Sequence, residues 1–282
     1  MIQEQKTNTR ASFKTISPKF KSLAHFIPEK IGTRICPDCG TEVPIYRKGE
    51  KEISHCLTCD NKGLEKEMNE FKRQSEAEAF FWNNSLIPPD TRDKTFENYP
   101  LKTATESQIA AFSKIKWYAE NFGQWEGFDS LMLQGSYGVG KSHLAHSAAM
   151  HIKSLGKKVA FINTKMLLRR IRNAYGERSK ETEEGILQNI EKADFLVIDD
   201  LGAEYVKKDK GGEESWGADL MLSIVESREH APTIITTNYN SQDLKNKYGQ
   251  HGGRIVSRSL TGAKVIKIQG PDNRLEVATS GW

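Results

Sequence analysis

Gly135-Ser136-Tyr137-Gly138-Val139-Gly140-Lys141-Ser142 is the stretch whose reading decides the fold. It matches G-x-x-x-x-G-K-[ST], follows an apolar run at Leu131 to Leu133, and opens a helical pattern over Ser142 to Leu155. The glycines let the backbone curl so that successive N–H groups point inward at phosphates, and the helix N-terminus adds a favourable dipole. In this reading Lys141 neutralises the β and γ phosphates, Ser142 offers its hydroxyl to Mg²⁺, and the cradle extends to His143. An accidental glycine-rich turn is the alternative, and the flanking strand and helix argue against it.

Further along the chain, Phe195-Leu196-Val197-Ile198-Asp199-Asp200 is an apolar run ending in two carboxylates. Asp199 suits a Mg²⁺ held through water, and Asp200 suits a group that orients or deprotonates an attacking water. Taken alone, such an ending is a common turn. Thr233-Ile234-Ile235-Thr236-Thr237-Asn238 repeats the pattern, with Asn238 either a bond to the γ-phosphate or its attacking water, or a turn residue. Val159 to Ile162 and Lys264 to Ile268 complete five candidate strands that alternate with helical stretches, which predicts an α/β fold with a parallel sheet. Arg254 and Arg258 stand at i and i+4, on one helical face. That face is either an exposed salt-bridge surface or a means of presenting an arginine to a neighbouring subunit's γ-phosphate. Lys207 to Glu214, KKDKGGEE, reads as a mobile surface loop.

The order GSYGVGKS, FLVIDDLGAE, TIITTNY, GGRIVSR resembles the AAA+ ATPases of the DnaC and DnaI type, which load the replicative helicase, and their relatives the IstB transposition helpers. Lys94-Thr95-Phe96-Glu97-Asn98-Tyr99 is similar to the entry segment of the same family, so the resemblance covers roughly residues 90 to 275. It implies an AAA+ P-loop fold with ATP and Mg²⁺ as ligands. Lys141 and Ser142 then belong to Walker A, Asp199 and Asp200 to Walker B, Asn238 is sensor 1, and Arg258 is an arginine finger through which the protein self-associates. Arg254 resembles the first arginine of that box, and Arg228 stands where the family carries an arginine of unassigned role. Two departures matter. Asp200 replaces the glutamate common after the Walker B aspartate, which implies weak intrinsic hydrolysis. The chain beyond Ile268 is too short for a full helical lid, leaving Arg274 as the substitute for sensor 2.

All four cysteines, Cys36, Cys39, Cys56 and Cys59, fall in one N-terminal stretch as two C-x-x-C pairs. The spacing is that of a structural zinc site, with Gly40 suited to the knuckle turn and His55 as a less favoured ligand; disulfides are the alternative. With four thiolates the site is closed and therefore structural. Loaders of Gram-positive bacteria resemble this layout of a zinc-containing N-terminal domain joined to an AAA+ module. Leu64 to Trp82 predicts a charged helix, with Leu64, Met68 and Phe71 at helical spacing, broken by Asn83 to Pro89. The expected domains are therefore 1–90, a zinc-binding and helicase-interaction domain with its linker helix, and 91–282, the ATPase.

Lys165, Arg169 and Arg172 recur at i, i+4 and i+7, with Arg170 beside them, Arg178 and Lys180 following, and Leu167, Leu168 and Ile171 opposite. A solvated helix face is the ordinary reading of such a run. The functional one is a stripe that tracks a single-stranded DNA backbone, strengthened by the AAA+ resemblance. Over the whole chain, 37% hydrophobic and 28% charged residues with a net charge of +4 exclude a membrane bundle and a disordered chain. Met1 to Arg10 lacks the apolar stretch of a signal peptide, so a cytoplasmic location with no membrane partner is expected.

The leading functional expectation is an ATP-dependent loader of a replicative helicase, a DnaB-type hexamer, onto single-stranded DNA. The alternatives are an IstB-like transposition helper, or a zinc-ribbon binding protein that responds to nucleotide without turnover. A small-molecule phosphate-loop kinase is disfavoured by the arginine box and the lack of a phosphoacceptor lid.

Overall fold

The computed structural model describes residues 28–176, 179–204 and 216–274. Arg178 and the Lys207 to Glu214 loop lie outside them. The chain divides into two compact units, Met1–Asn69 and Glu70–Trp282.

In the first unit, β1 (Glu29–Ile35), β2 (Glu42–Lys48) and β3 (Lys51–Ile53) form an antiparallel sheet in chain order. Between β1 and β2, Gly40 takes a φ of +72°, the left-handed conformation the knuckle requires, and its N–H donates to the Cys36 carbonyl at 3.0 Å. Helix α1 (Leu57–Asn84) starts inside the second cysteine pair, earlier than the apolar spacing indicates. Its Leu64, Met68 and Phe71 are exposed, and its buried residues are Ala77 and Phe81. Among the described residues of this unit, the buried apolar cluster is Cys36, Val43 and Cys56, with Cys39 and Cys59 against it.

In the second unit, β4 (Ser130–Gly135), β5 (Val159–Asn163), β6 (Phe195–Asp199), β7 (Thr233–Thr237) and β8 (Ala263–Ile268) form a parallel sheet in the order β5-β6-β7-β4-β8. All five predicted strands are present. Alternate residues enter two separate cores, as the two-residue period of a strand demands. Leu131, Leu133, Val159, Phe161, Phe195, Val197 and Ile234 pack with α2 (Glu106–Glu120) and α3 (Lys141–Ser154). Met132, Ala160, Ile162, Leu196, Ile198 and Ile235 pack with α4 (Thr164–Ala174), α5 (Glu183–Glu191), α6 (Trp216–Ser227), α7 (Ser241–Tyr248) and α8 (Gly252–Leu260).

The division between the units falls earlier than residue 90 for a physical reason. Phe81 and Ile87 are part of the core beneath α2 and α3. Ser85 and Leu86 lie along the outer edge of β5: the Leu86 N–H donates to the Phe161 carbonyl at 2.6 Å, the Asn163 N–H to the Leu86 carbonyl at 3.1 Å, and the Phe161 N–H to Ser85 Oγ at 3.0 Å. The C-terminal part of α1 also packs on α3, where buried Lys153 bridges to Glu78 at 2.6 Å and lies over the Phe81 ring. These residues belong to the larger unit and are not a free linker.

Candidate active site

The phosphate loop joins β4 to α3. Gly138 and Gly140 have φ of +71° and +98°, conformations that a side chain would strain. A Cβ on Gly135 would stand 2.3 Å from the Ile268 carbonyl oxygen, so only glycine lets β4 leave the sheet there. No side chain caps α3 at Gly140, which leaves its first N–H groups for an anion.

Lys141 is 5% exposed, and its Nζ donates to Gly135 O at 2.9 Å, Ser136 O at 2.6 Å and Asn238 Oδ1 at 2.6 Å. Burial brings its pKa down to about 8, against the pull of Asp200 and Asp199. The ammonium is thus held by neutral acceptors at the point where the loop opens.

Asp199, at the end of β6, is 1% exposed. It accepts from Thr236 Oγ1 at 2.8 Å and Asn163 Nδ2 at 3.3 Å, and the Ser142 hydroxyl also bonds to it. Burial and then the neighbouring Asp200 raise its pKa, so a cation there would relieve an unfavourable charge. Asp200 adopts φ +62°, a left-handed turn that aspartate tolerates. Its N–H donates to Thr236 Oγ1 at 2.9 Å, and its carbonyl accepts from Thr164 Oγ1 at 3.0 Å. Thr236 therefore fixes the Asp199 carboxylate and the Asp200 backbone through one hydroxyl. Neither Thr236 nor Asn163 was singled out from sequence. Asn163 had a legible signal, as the polar residue between an apolar strand and a helix, and it is the N-cap of α4.

A cleft of about 540 Å³ joins these groups. Gly138, Gly140, Lys141, Ser142, Asp200 and Asn238 line one part, and Asp90, Thr91, Lys94, Asn98 and Pro100 another, with Tyr137, His143 and Arg274 between. Arg274 bridges to Asp90 at 3.1 Å. His143 faces the cleft, but its Nε2 is bonded to the Thr95 carbonyl at 2.8 Å.

The other arginines separate into two kinds. Arg254 and Arg258 stand on the exposed face of α8, paired with Glu226 at 2.6 Å and with both oxygens of Glu229 at 2.8 Å, and neither lines the cleft. Arg228 is 5% exposed and donates to the carbonyls of Glu191, Ala193 and Pro232 at 3.2, 2.8 and 3.0 Å. Arg228 therefore ties the ends of α5 and α6 to the start of β7, a structural task. Arg228→Ala is expected to destabilise the larger unit by about 2 to 4 kcal/mol, the cost of leaving several buried carbonyls unbonded. The thermal midpoint should fall by several degrees while nucleotide binding below the transition is retained.

Along α4, Lys165, Arg169 and Arg172 are exposed, and Leu167, Leu168 and Ile171 are buried, as the spacing predicts. Arg170 instead turns to its own chain, pairing with Glu181 and donating to the Asn83 carbonyl at 3.3 Å. Arg172 lies over the Trp216 ring at 5.3 Å, and Tyr175 meets that ring edge-on.

The four cysteine sulfurs all lie within 4.8 Å of one another, with Cys36 to Cys59 at 3.7 Å and Cys39 to Cys56 at 3.4 Å. A tetrahedron of ~2.3 Å Zn–S bonds has edges of roughly 3.8 Å, so these thiols fit a single zinc ion. They are not paired as disulfides, and His55 is exposed outside the cluster.

Strand β7 stands between the loop-bearing β4 and the acid-bearing β6, so Asn238 at its end reaches Lys141 while Thr236 holds Asp199. That placement defines an AAA+ ATPase domain. The chain belongs to the family of IstB-like ATP binding proteins, whose model matches residues 72–280. It is 28% identical over 201 residues to the replicative helicase loader DnaC of Escherichia coli K12, covering 71% of this chain and 74% of that one. Among solved structures it is similar to DnaI, with a TM-score of 0.53 and 25% identity over 67% of this chain and 95% of that one. It is likewise similar to the DnaC helicase loader, with a TM-score of 0.53 and 27% identity over 64% of this chain and 100% of that one. Among the described residues, no helix is long and apolar enough to cross a membrane.

Proposed function

We propose that this protein is a loader that places a replicative helicase, a DnaB-type hexamer, on single-stranded DNA under the control of its ATP state, in the cytoplasm. The observation that carries this reading is the likeness to DnaC, which spans most of both chains. Lys141 would hold the β and γ phosphates of ATP, and Ser142 with Asp199 would hold Mg²⁺, which would supply neutralisation of phosphate charge. Asp200 would orient the attacking water, and Asn238, now bonded to Lys141, would be in reach of the γ-phosphate or that water. Asp200 is a methylene shorter than glutamate, so hydrolysis is slow and ATP binding does much of the switching. The zinc module, held by Cys36, Cys39, Cys56 and Cys59, docks the helicase.

The test is co-sedimentation of the full chain with a purified hexameric replicative helicase, with and without ATP. Stoichiometric binding, followed by ATP-dependent transfer of the helicase to a single-stranded circle, is the expected result. A protein that ignores the helicase and binds a transposase instead would overturn it in favour of the transposition-helper reading.

The exposed charges of α4 support contact with a phosphate backbone, and Tyr175 and Trp216 beside Arg172 offer aromatic faces for bases. Arg169→Ala with Arg172→Ala is expected to weaken single-stranded DNA binding. Two lost phosphate contacts should flatten the slope of log affinity against log salt by about 1.4. An unchanged slope would return these arginines to a solvated helix face.

Arg258 is proposed to act on the nucleotide of the next subunit, which its position outside its own cleft supports. Arg258→Ala should bind ATP normally and lose hydrolysis, and mixing it with Lys141→Ala should restore part of the activity at the one intact interface type. The readout is phosphate release at concentrations where the wild type assembles; absence of rescue there counts against a trans role.

A further inference from the structure

The segment from Asp93 to Tyr99 supplies cleft-lining residues opposite the phosphate loop, yet it belongs to no helix or strand. Two imidazoles of α3 hold it. His143 Nε2 is 2.8 Å from the Thr95 carbonyl, and His146 Nδ1 is 2.8 Å from the Lys94 carbonyl. A carbonyl only accepts, so each of these nitrogens carries the proton. Burial lowers the pKa of both imidazoles, that of His143 to about 4, and His146 is 1% exposed, so both are neutral donors. Asn98 braces the same segment from within, accepting from the Thr95 N–H at 2.9 Å and donating to the Asp93 carbonyl at 2.6 Å. The Tyr99 ring stands edge-on to His143 at 4.9 Å, and a Cβ on Gly140 would meet its hydroxyl.

Both histidines lie within two turns of the start of the helix that carries Lys141 and Ser142. The bonds they make therefore set the distance between the wall at Lys94 and Asn98 and the phosphate loop. We infer that His143 and His146 are positioning residues for the nucleoside half of ATP: they hang the cleft wall on the phosphate-loop helix, so that base and ribose meet a preformed surface once the phosphates are seated. Neither imidazole is needed to grip phosphate itself, to which His143 offers only its backbone N–H. The inference rests on this cleft being the ATP site, a reading that Lys141→Ala tests separately in the same titrations.

The experiment compares affinity for Mg-ATP with affinity for inorganic tripolyphosphate by calorimetry on the full chain. His143→Leu and His146→Leu are each expected to weaken ATP by roughly tenfold and to leave tripolyphosphate unchanged. His143→Gln and His146→Asn, whose amide N–H groups reach where Nε2 and Nδ1 stand, should keep wild-type ATP affinity. The exchanged pair, His143→Asn and His146→Gln, places the donor at the wrong reach and should behave like leucine, which reads the same contact if a leucine variant fails to fold. Unchanged ATP affinity in the leucine and exchanged variants would overturn the inference. So would equal losses for ATP and tripolyphosphate, because the histidines would then act on the phosphate loop or on the fold as a whole.

Discussion

Lys141→Ala is expected to lose ATP binding by about two orders of magnitude or more, the largest effect of any single substitution in the cleft. A charge-assisted bond to phosphate in a partly desolvated site contributes about 1.5 to 3 kcal/mol, and in the proposed site this lysine would serve two phosphates. Its removal also leaves the Gly135 and Ser136 carbonyls and Asn238 Oδ1 without the donor that now holds them together. Asp200→Asn should instead bind ATP normally and turn it over more slowly. The lysine carries a pH signature as well. With the cleft empty, burial holds its pKa at about 8, and phosphate charge beside it favours the protonated form and raises that value. Binding therefore takes up a proton at and above this pH, and affinity falls as the pH rises through 8. Titrations in buffers of different ionisation enthalpy measure the uptake, which should vanish in Lys141→Ala. Nucleotide affinity equal to wild type in that variant would remove the site assignment.

Stripping zinc, or replacing Cys36 and Cys39 with serine, is expected to unfold the small module while nucleotide binding continues. Among the described residues, the cluster of Cys36, Val43 and Cys56 is far too small by itself to offset the chain entropy of the three strands around it. Metal bound by four thiolates supplies free energy on the order of 10 kcal/mol, and in such modules that is folding free energy. The full chain should carry one zinc, lose dispersed amide resonances from residues 29–56 on chelation, and lose helicase binding with them. A module that stays folded without metal would show that the cysteines hold it by packing alone.

The parallel sheet was legible because fully buried strands are written as short unbroken apolar runs. Phe195 to Ile198 and Thr233 to Ile235 have few other readings between polar turns. The small module was less so. In β1, Lys30 and Arg34 flank Gly32, where the register shifts, and the strand exposes much of both faces, so no alternation marks it. The start of α2 rests on a capping box of Thr105 and Gln108, a signal present in the sequence but weak beside its mixed polarity. Within the candidate site, motif spacing singled out Lys141, Asp199, Asp200 and Asn238, which the fold brings together. The groups that aim them, Asn163 and Thr236, act from strand ends far apart in sequence, and their roles exist only once β5, β6 and β7 lie side by side. Arg228 is the converse case, since an arginine near a nucleotide-site motif suggests chemistry until burial and three carbonyl partners assign it to structure.

The strip at Ser85 and Leu86 bears on how this protein can be dissected and recombined. A fragment cut at residue 90 would leave β5 with an open hydrogen-bonding edge and a hole where Phe81 and Ile87 had filled the core, while its companion piece would carry those apolar side chains into water. Both halves would then be prone to pair with whatever strand or apolar surface they met, and an insoluble product would say nothing about function. Grafting this ATPase onto a different recognition module calls for a junction ahead of Ala77, on the exposed turns of the helix, so that the seal over the sheet travels with the sheet it closes.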